Sequence, residues 1–237
     1  SLIAFSIVCL LIAILLSRGL TSNQPKKNNE GVEVLGGSSF EAFRNTLKQT
    51  QIKFMAFYIL LWTGLSTAAW MISLTIIQDW SSDPCERTAF FAQIEQIVTP
   101  LTLIIQILFT SYFLRTVGVI PILIIYGVFL FIAFGTYATY PTITAVLVLT
   151  VLIRVFEYGV NKPTRETIFT SLNKQDRYKS TVMMDTFVAR TGDYLGGQSV
   201  TFLTVLGLAV GSIAYAALPV AILLSIVGYK AAKSTKI

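Results

Sequence analysis

Long runs of apolar residues alternate with short polar segments along almost the whole chain. A helix needs about 20 apolar residues to cross a bilayer, and the runs predict about seven such spans. They cover 1–17, 54–78, 90–114, two spans within 116–160 that are separated at Pro141, and then 181–210 and 213–229. The pattern therefore predicts an all-α membrane protein that contacts the lipid bilayer.

Composition agrees with this pattern and excludes several classes of function. Hydrophobic residues make up 54% of the chain and charged residues 13%, against about 25% charged in soluble domains. Histidine is absent, and Cys9 and Cys85 are far apart, so we expect no metal site, haem or disulfide framework. Phosphate-loop, nucleophile-elbow and zinc-protease motifs are also missing. We therefore expect neither an enzyme nor a cofactor.

The lysines and arginines lie mainly in the loops between the spans and indicate how the chain is oriented in the membrane. The net charge is +6, but lysine and arginine are distributed among loops instead of forming one patch, so nucleic acid is not an expected partner. Every loop Lys and Arg except Arg87 falls on the same side of the predicted spans. The positive-inside rule makes that side cytoplasmic.

The spans form two groups. A Gly-, Ser- and Asn-rich segment at 19–50 is typical of a flexible cytoplasmic linker, and it separates one span at 1–18 from six spans at 51–237. One span, a long loop and six spans are expected at the end of a twelve-span transporter built from two six-span halves. Because Ser1 stands inside an apolar run, we expect a truncated first span and a missing N-terminal half that completes the molecule.

The segment 157–197 concentrates eleven charged side chains between apolar regions. A charge at bilayer depth is costly, so it usually faces a partner or a water-filled cavity and marks a substrate or ion route. Transport is thus the first functional hypothesis.

The span at 90–114 carries a polar stripe. The steps of three and four keep the stripe on one helical face, and its members are Glu95, Thr99, Thr102, Gln106 and Thr110. The stripe either hydrogen-bonds to neighbouring helices or lines a substrate route. Glu95 either serves that route or lies at the outer membrane interface.

The span after Pro141 has a second polar face, formed by Arg154, Glu157, Tyr158 and Asn161. Arg154 either pairs with Glu157 one turn away or donates to an anionic substrate, because its guanidinium suits phosphate or carboxylate. The residues alone leave both interpretations open.

The span at 181–210 repeats this pattern of charges and adds small residues. Asp185 and Asp193 share a face, and Arg190 lies one turn from Asp193 and can neutralise it. Two glycine pairs at a spacing of four, 192/196 and 207/211, permit close helix approach.

The second predicted span carries small and hydroxyl side chains together with Trp70. The Trp70 ring either stacks on a planar ligand or packs against a neighbouring helix. Both roles are compatible with the sequence.

Two stretches resemble a known family. KPTRETIFTSLNKQDRYKSTVMMDTFVARTGDYLGG at 162–197 is similar to the signature region of the ATP/ADP translocase family, the nucleotide transporters of intracellular bacteria and plastids. DPCERTAFFAQIEQIV at 83–98 resembles the entry into that family's eighth span. The resemblance covers about a third of the chain, and Ile168 departs from the family's usual Leu. It implies a major-facilitator-like fold, alternating access, exchange of ATP and ADP, and a bacterial inner membrane.

The resemblance also implies a substrate site that binds the phosphates of a small anionic nucleotide. Its candidate residues are Glu95, Arg154, Glu157, Asn161, Lys162, Arg165, Asp185, Arg190 and Asp193. Arg154 and Arg190 would meet the phosphates, and Glu157 and Asp193 would hold these arginines when the site is empty. The segment 162–179 is expected to be a basic cytoplasmic loop at the mouth of the pathway.

Two alternatives remain beside nucleotide exchange. One is a major-facilitator-type transporter of another organic anion, which competition of uptake by unlabelled nucleotides would separate. The other is a non-transporting receptor or scaffold, which has no need of two matching six-span halves.

Overall fold

The computed structural model describes residues 50–170 and 174–234. Within these residues the chain is helical and contains no strand. The first predicted span and the linker up to residue 49 lie outside the described residues.

Six long helices follow one another in the described part of the chain. They are α1 (Thr50–Trp80), α2 (Pro84–Thr116), α3 (Val119–Thr139), α4 (Ile143–Phe169), α5 (174–205) and α6 (Val210–Lys233). All but α5 are long and apolar enough to cross a membrane. An all-α membrane protein is therefore confirmed with five such helices, while the crossing by α5 and the total of seven stay predictions.

Local sequence explains where several helices begin. The Asp83 carboxylate accepts a hydrogen bond from the Cys85 amide at 2.8 Å, and Pro84 occupies the first turn of α2, where its missing N–H costs nothing. The predicted break at Pro141 is confirmed. Thr142 begins α4 there by accepting from the Ala145 amide at 3.2 Å.

The predicted end of the 181–210 span is wrong. Helix α5 ends at Val205, and Gly207 adopts a φ of 81°, a left-handed conformation that glycine tolerates at a helix end. Gly207 and Gly211 therefore do not form one packing step on a single helix. Gly211 instead begins the α6 contact with α3, where a Cβ would lie 3.1 Å from the Ala138 carbonyl oxygen.

Helix α1 occupies the centre of the described bundle. It packs against α5 and α6, α6 also packs along α3, and α2 contacts chiefly α4. Tyr58, Leu130 and Phe134 are among the fully buried core residues. Helix α2 is the most exposed, because only 11% of its most apolar window is buried.

Glycines bring α1 and α5 into close contact, as the 192/196 spacing predicts. A Cβ on Gly196 would lie 2.7 Å from the Cα of Gly64, and a Cβ on Gly192 would lie 2.5 Å from the Leu60 carbonyl oxygen. Backbone atoms cannot move aside as a flexible side chain can. Only glycine therefore fits at these two positions of α5.

We predict that Gly196→Val destabilises the fold by about 2–3 kcal/mol, because the larger side chain forces α1 and α5 apart. The matched control is Gly135→Val, since nothing lies within 4 Å of a Cβ at Gly135. Reversible unfolding by SDS in mixed micelles measures both variants. An equal effect of the two substitutions would contradict the close helix approach.

Candidate functional site

Helix α4 changes its hydrogen-bonding pattern at the level of the predicted polar face. The residues Glu157–Asn161 form a π-helical turn, and the Lys162 amide bonds to the Glu157 carbonyl instead of to Tyr158. Pro163 has no N–H, so the carbonyl of Gly159 also lacks its usual helical donor. Two neighbouring carbonyls of α4 thus need donors from outside the helix.

Helix α2 supplies both donors. The Gln106 side-chain amide donates to the Tyr158 carbonyl at 3.0 Å, and the Thr110 hydroxyl donates to the Gly159 carbonyl at 2.5 Å. Helix α2 has its own π turn here, Ile105–Phe109, which contacts the one in α4. For Gln106 and Thr110, hydrogen bonding between helices is therefore the interpretation that the structure supports.

The first ion pair of the site joins the same two helices. Arg154 of α4 pairs with Glu95 of α2 and not with Glu157. The Arg154 side chain is 29% exposed and that of Glu95 is 54% exposed. Glu95, the first residue of the polar stripe of α2, is therefore bound to a charged residue of α4.

Glu157 is left with a hydroxyl as its neighbour. The Tyr126 hydroxyl donates to Glu157 Oε2 at 3.2 Å, and the Ser66 hydroxyl lies 3.2 Å from the same Tyr126 oxygen. Among the described side chains, no lysine or arginine nitrogen lies within 4.0 Å of the Glu157 carboxylate. Among the described residues, the Glu157 carboxylate in the membrane-spanning part of α4 is thus held by the Tyr126 hydroxyl alone.

A small cavity adjoins Glu157 and Arg154, between α1, α3 and α4. Its volume is about 120 Å³. It is lined by Ser66, Ala69, Trp70, Ser73, Tyr137, Thr150, Ile153, Arg154 and Glu157. The Trp70 ring packs against Phe91 at 5.5 Å between centroids and also borders this cavity.

Asn161 and Arg165 lie one turn apart on α4, and both are buried. The Tyr58 hydroxyl donates to Asn161 Oδ1 at 3.0 Å, while Asn161 Nδ2 is buried without a partner. The Arg165 guanidinium lies 4.0 Å from the centre of the Trp62 ring, and its Nε is also buried without a partner. Two donor nitrogens here thus have no acceptor among the described residues.

This placement corrects the prediction of a basic loop at 162–179. Helix α4 continues to Phe169, and α5 begins at Lys174. The charges indicated a loop, but Thr164, Arg165, Ile168 and Phe169 form a buried helical face while Lys162 is exposed.

Helix α5 carries the second ion pair, which is the pairing that the sequence predicts. Arg190 lies 3.3 Å from Asp193, and the Thr67 hydroxyl of α1 donates to Asp193 at 2.9 Å. The Arg190 side chain is 80% exposed. Asp185 is exposed as well and lies within the π turn Met184–Val188.

The nine predicted site residues therefore separate into two groups. Arg154 and Glu157 line the cavity, and Glu95 joins them through its ion pair with Arg154. Asn161 and Arg165 lie further along α4, and Asp193 of α5 accepts a hydrogen bond from Thr67 of α1. The exposed residues Lys162, Asp185 and Arg190 are outside this group apart from the pair of Arg190 with Asp193.

Sequence reasoning missed three aromatic residues of the site. Tyr58, Trp62 and Tyr126 stand within apolar stretches of the sequence and belong to none of the polar faces found there. A buried tyrosine hydroxyl nevertheless usually requires a partner. The spacing of four between Tyr58 and Trp62, which places both on one face of α1, was the available signal.

Comparison with known proteins adds no further assignment. No family model, curated protein or solved structure matches this chain. Among the described residues, no group of three or more Cys, Asp or Glu is placed to hold a metal ion.

We predict that Thr110→Val destabilises the fold by about 1–3 kcal/mol, because it leaves the Gly159 carbonyl without a donor. Thr136→Val is the matched control, since the Thr136 hydroxyl bonds only to the Ile132 carbonyl of its own helix, at 2.9 Å. SDS unfolding compares the two. A Thr110 variant as stable as the control would show that the α2–α4 bond contributes nothing.

Proposed function

We propose that this chain belongs to a membrane transporter that exchanges nucleotides of the ATP and ADP type by alternating access. In this proposal the described helices are one half of a major-facilitator-like molecule. The second half rocks against it around a site near the middle of the bilayer. The lipid bilayer and a small anionic substrate are the partners.

The exposure of charged side chains within the helices is the observation that carries the proposal. Glu95 lies well inside α2 and is 54% exposed, and Arg190 lies midway along α5 and is 80% exposed. An ionised side chain at such depth does not face hydrocarbon without a large cost. This surface is therefore expected to border water or another part of the protein, as the wall of a transport pathway does.

The buried donors support an anionic substrate. Arg165 is 5% exposed and has no carboxylate oxygen within 4.0 Å among the described side chains. A guanidinium suits phosphate oxygens, and the unpaired Asn161 amide offers a further N–H. Glu95 pairs with Arg154, and Asp193 pairs with Arg190. A phosphate that enters would compete for these arginines.

The cavity volume favours a second candidate, a transporter of a smaller organic anion. Ligand pockets usually have volumes of about 300–1,000 Å³, whereas the cavity at Arg154 has about 120 Å³. A nucleotide fits only if the other half of the molecule contributes much of the site.

The uptake of labelled ATP by the full-length protein in vesicles tests the proposal. We expect Arg165→Gln to reduce uptake at least about tenfold, because a hydrogen bond to a charged group contributes about 1.5–3 kcal/mol. Arg154→Ala and Arg190→Ala are expected to reduce it as well. Lys53→Gln, at an exposed position near the start of α1, is the control.

Competition distinguishes the two substrates. An excess of unlabelled ADP abolishes ATP uptake if nucleotides are exchanged. Nucleotide exchange is wrong, and the second candidate stands, under two joint results. Wild-type vesicles take up no ATP, and ADP does not inhibit their uptake of other phosphorylated or carboxylated metabolites.

A further inference from the structure

Glu157 lies in the membrane-spanning part of α4 and has no positively charged partner among the described residues, where each nearby arginine is engaged elsewhere. Arg154 pairs with Glu95, the Arg165 guanidinium lies over the Trp62 ring, and Arg190 pairs with Asp193. The titratable and charged groups that surround Glu157 are Tyr58 of α1, Glu95 of α2, Tyr126 of α3, Asp193 of α5, and Arg154, Tyr158 and Arg165 of α4. None of these cations is within 4.0 Å of its carboxylate.

The hydroxyls beside Glu157 suit both of its protonation states. When Glu157 is ionised, Tyr126 donates to it and Ser66 donates to Tyr126. When Glu157 is protonated, its own hydroxyl can donate to Tyr126, and Tyr126 can donate to Ser66. Both O···O distances are 3.2 Å, and either hydroxyl of the Ser66–Tyr126 pair can be the donor. The chain of hydrogen bonds therefore reverses without any movement of heavy atoms.

The adjacent cavity gives a proton a path to this carboxylate. Its volume of about 120 Å³ accommodates several water molecules, and hydroxyls of Ser66, Ser73 and Thr150 line it together with Glu157. Buried water requires polar partners of this kind. The cavity also reaches Arg154, whose partner Glu95 is half exposed. Water in this cavity, together with the lining hydroxyls, would connect Glu157 to the exposed polar surface.

We propose that Glu157 is a proton-binding site that couples proton movement to transport. This inference rests on the proposed transport function and adds a second cargo to it. The carboxylate of Glu157 binds one proton to become a neutral acid, and it releases the same proton on the other side. The neutral form removes the unpaired charge from the membrane, so the carrier changes its orientation more readily with the proton bound.

Transport under a pH gradient is the first test. In vesicles with the full-length protein, an acidic exterior is expected to raise wild-type uptake of labelled ATP several-fold. Glu157→Gln, which resembles the protonated acid, is expected to lose this response, so that its uptake of labelled ATP is the same with and without the pH gradient. Glu86→Gln is the matched control, because Glu86 is an exposed carboxylate in the first turn of α2 that accepts from Ser81 at 2.6 Å.

Two outcomes of the transport test overturn the proposal. One is a Glu157→Gln protein that still responds to the pH gradient, and the other is a wild type that responds to sodium instead of protons. Tyr126→Phe is a second variant that keeps the carboxyl group but breaks the hydroxyl chain. It should reduce the stimulation of uptake by the pH gradient several-fold, and an unchanged stimulation would contradict the role of the chain.

Infrared difference spectroscopy of the purified full-length protein separates this proposal from nucleotide transport. A protonated Glu157 is expected to give a carboxylic acid C=O band that titrates with pH and is absent from Glu157→Gln. If the band is present but no ATP is taken up, the proton site stands and the nucleotide is wrong. If ATP is taken up but no band titrates, the proton site is wrong and transport stands.

Discussion

The missing amide hydrogen of Pro163 is the constraint on which the polar centre of this protein depends. Together with the π turn at Glu157–Asn161, it leaves the carbonyls of Tyr158 and Gly159 without helical donors. A carbonyl inside a membrane protein must find a partner within the protein. Gln106 and Thr110 provide the donors, so α2 is fixed against α4. The same contact brings Glu95 to Arg154, and that ion pair leaves Glu157 to the hydroxyl of Tyr126.

A second constraint acts on the opposite side of α1. Gly64, Gly192 and Gly196 allow the backbones of α1 and α5 to touch, and packing without side chains is a common means of holding membrane helices together. Close approach also brings Thr67 within 2.9 Å of Asp193. Because Ser66 and Thr67 are neighbours on α1, hydrogen bonds reach from α1 to Tyr126 on one side and to Asp193 on the other. Helix α1 is therefore the link between the two charged clusters.

The candidate site combines buried groups with exposed ones, and the two classes suit different tasks. Arg165 and Asn161 are buried with unpaired N–H groups, which favours recognition of an acceptor-rich ligand. Glu95 and Arg190 are exposed within the long helices α2 and α5, which favours a surface shared with water or with another part of the molecule. Glu157 is intermediate in exposure and lies at a small cavity lined with hydroxyls. A transporter needs all three features, since substrate, solvent and moving parts meet at one level of the bilayer.

The helical membrane class, the break at Pro141 and the close approach at the 192/196 glycines could all be predicted from the order of residues. These properties depend on local features, namely runs of apolar residues, a residue that cannot donate and a spacing of four. The pairing of Arg154 with Glu95 instead of Glu157, and the burial of Arg165 in a helix instead of a loop, depend on how the helices pack. The physical reason is that a charge selects its partner by distance in space. Residues 95 and 154 meet only after α2 and α4 have packed, and no spacing along the chain encodes that contact.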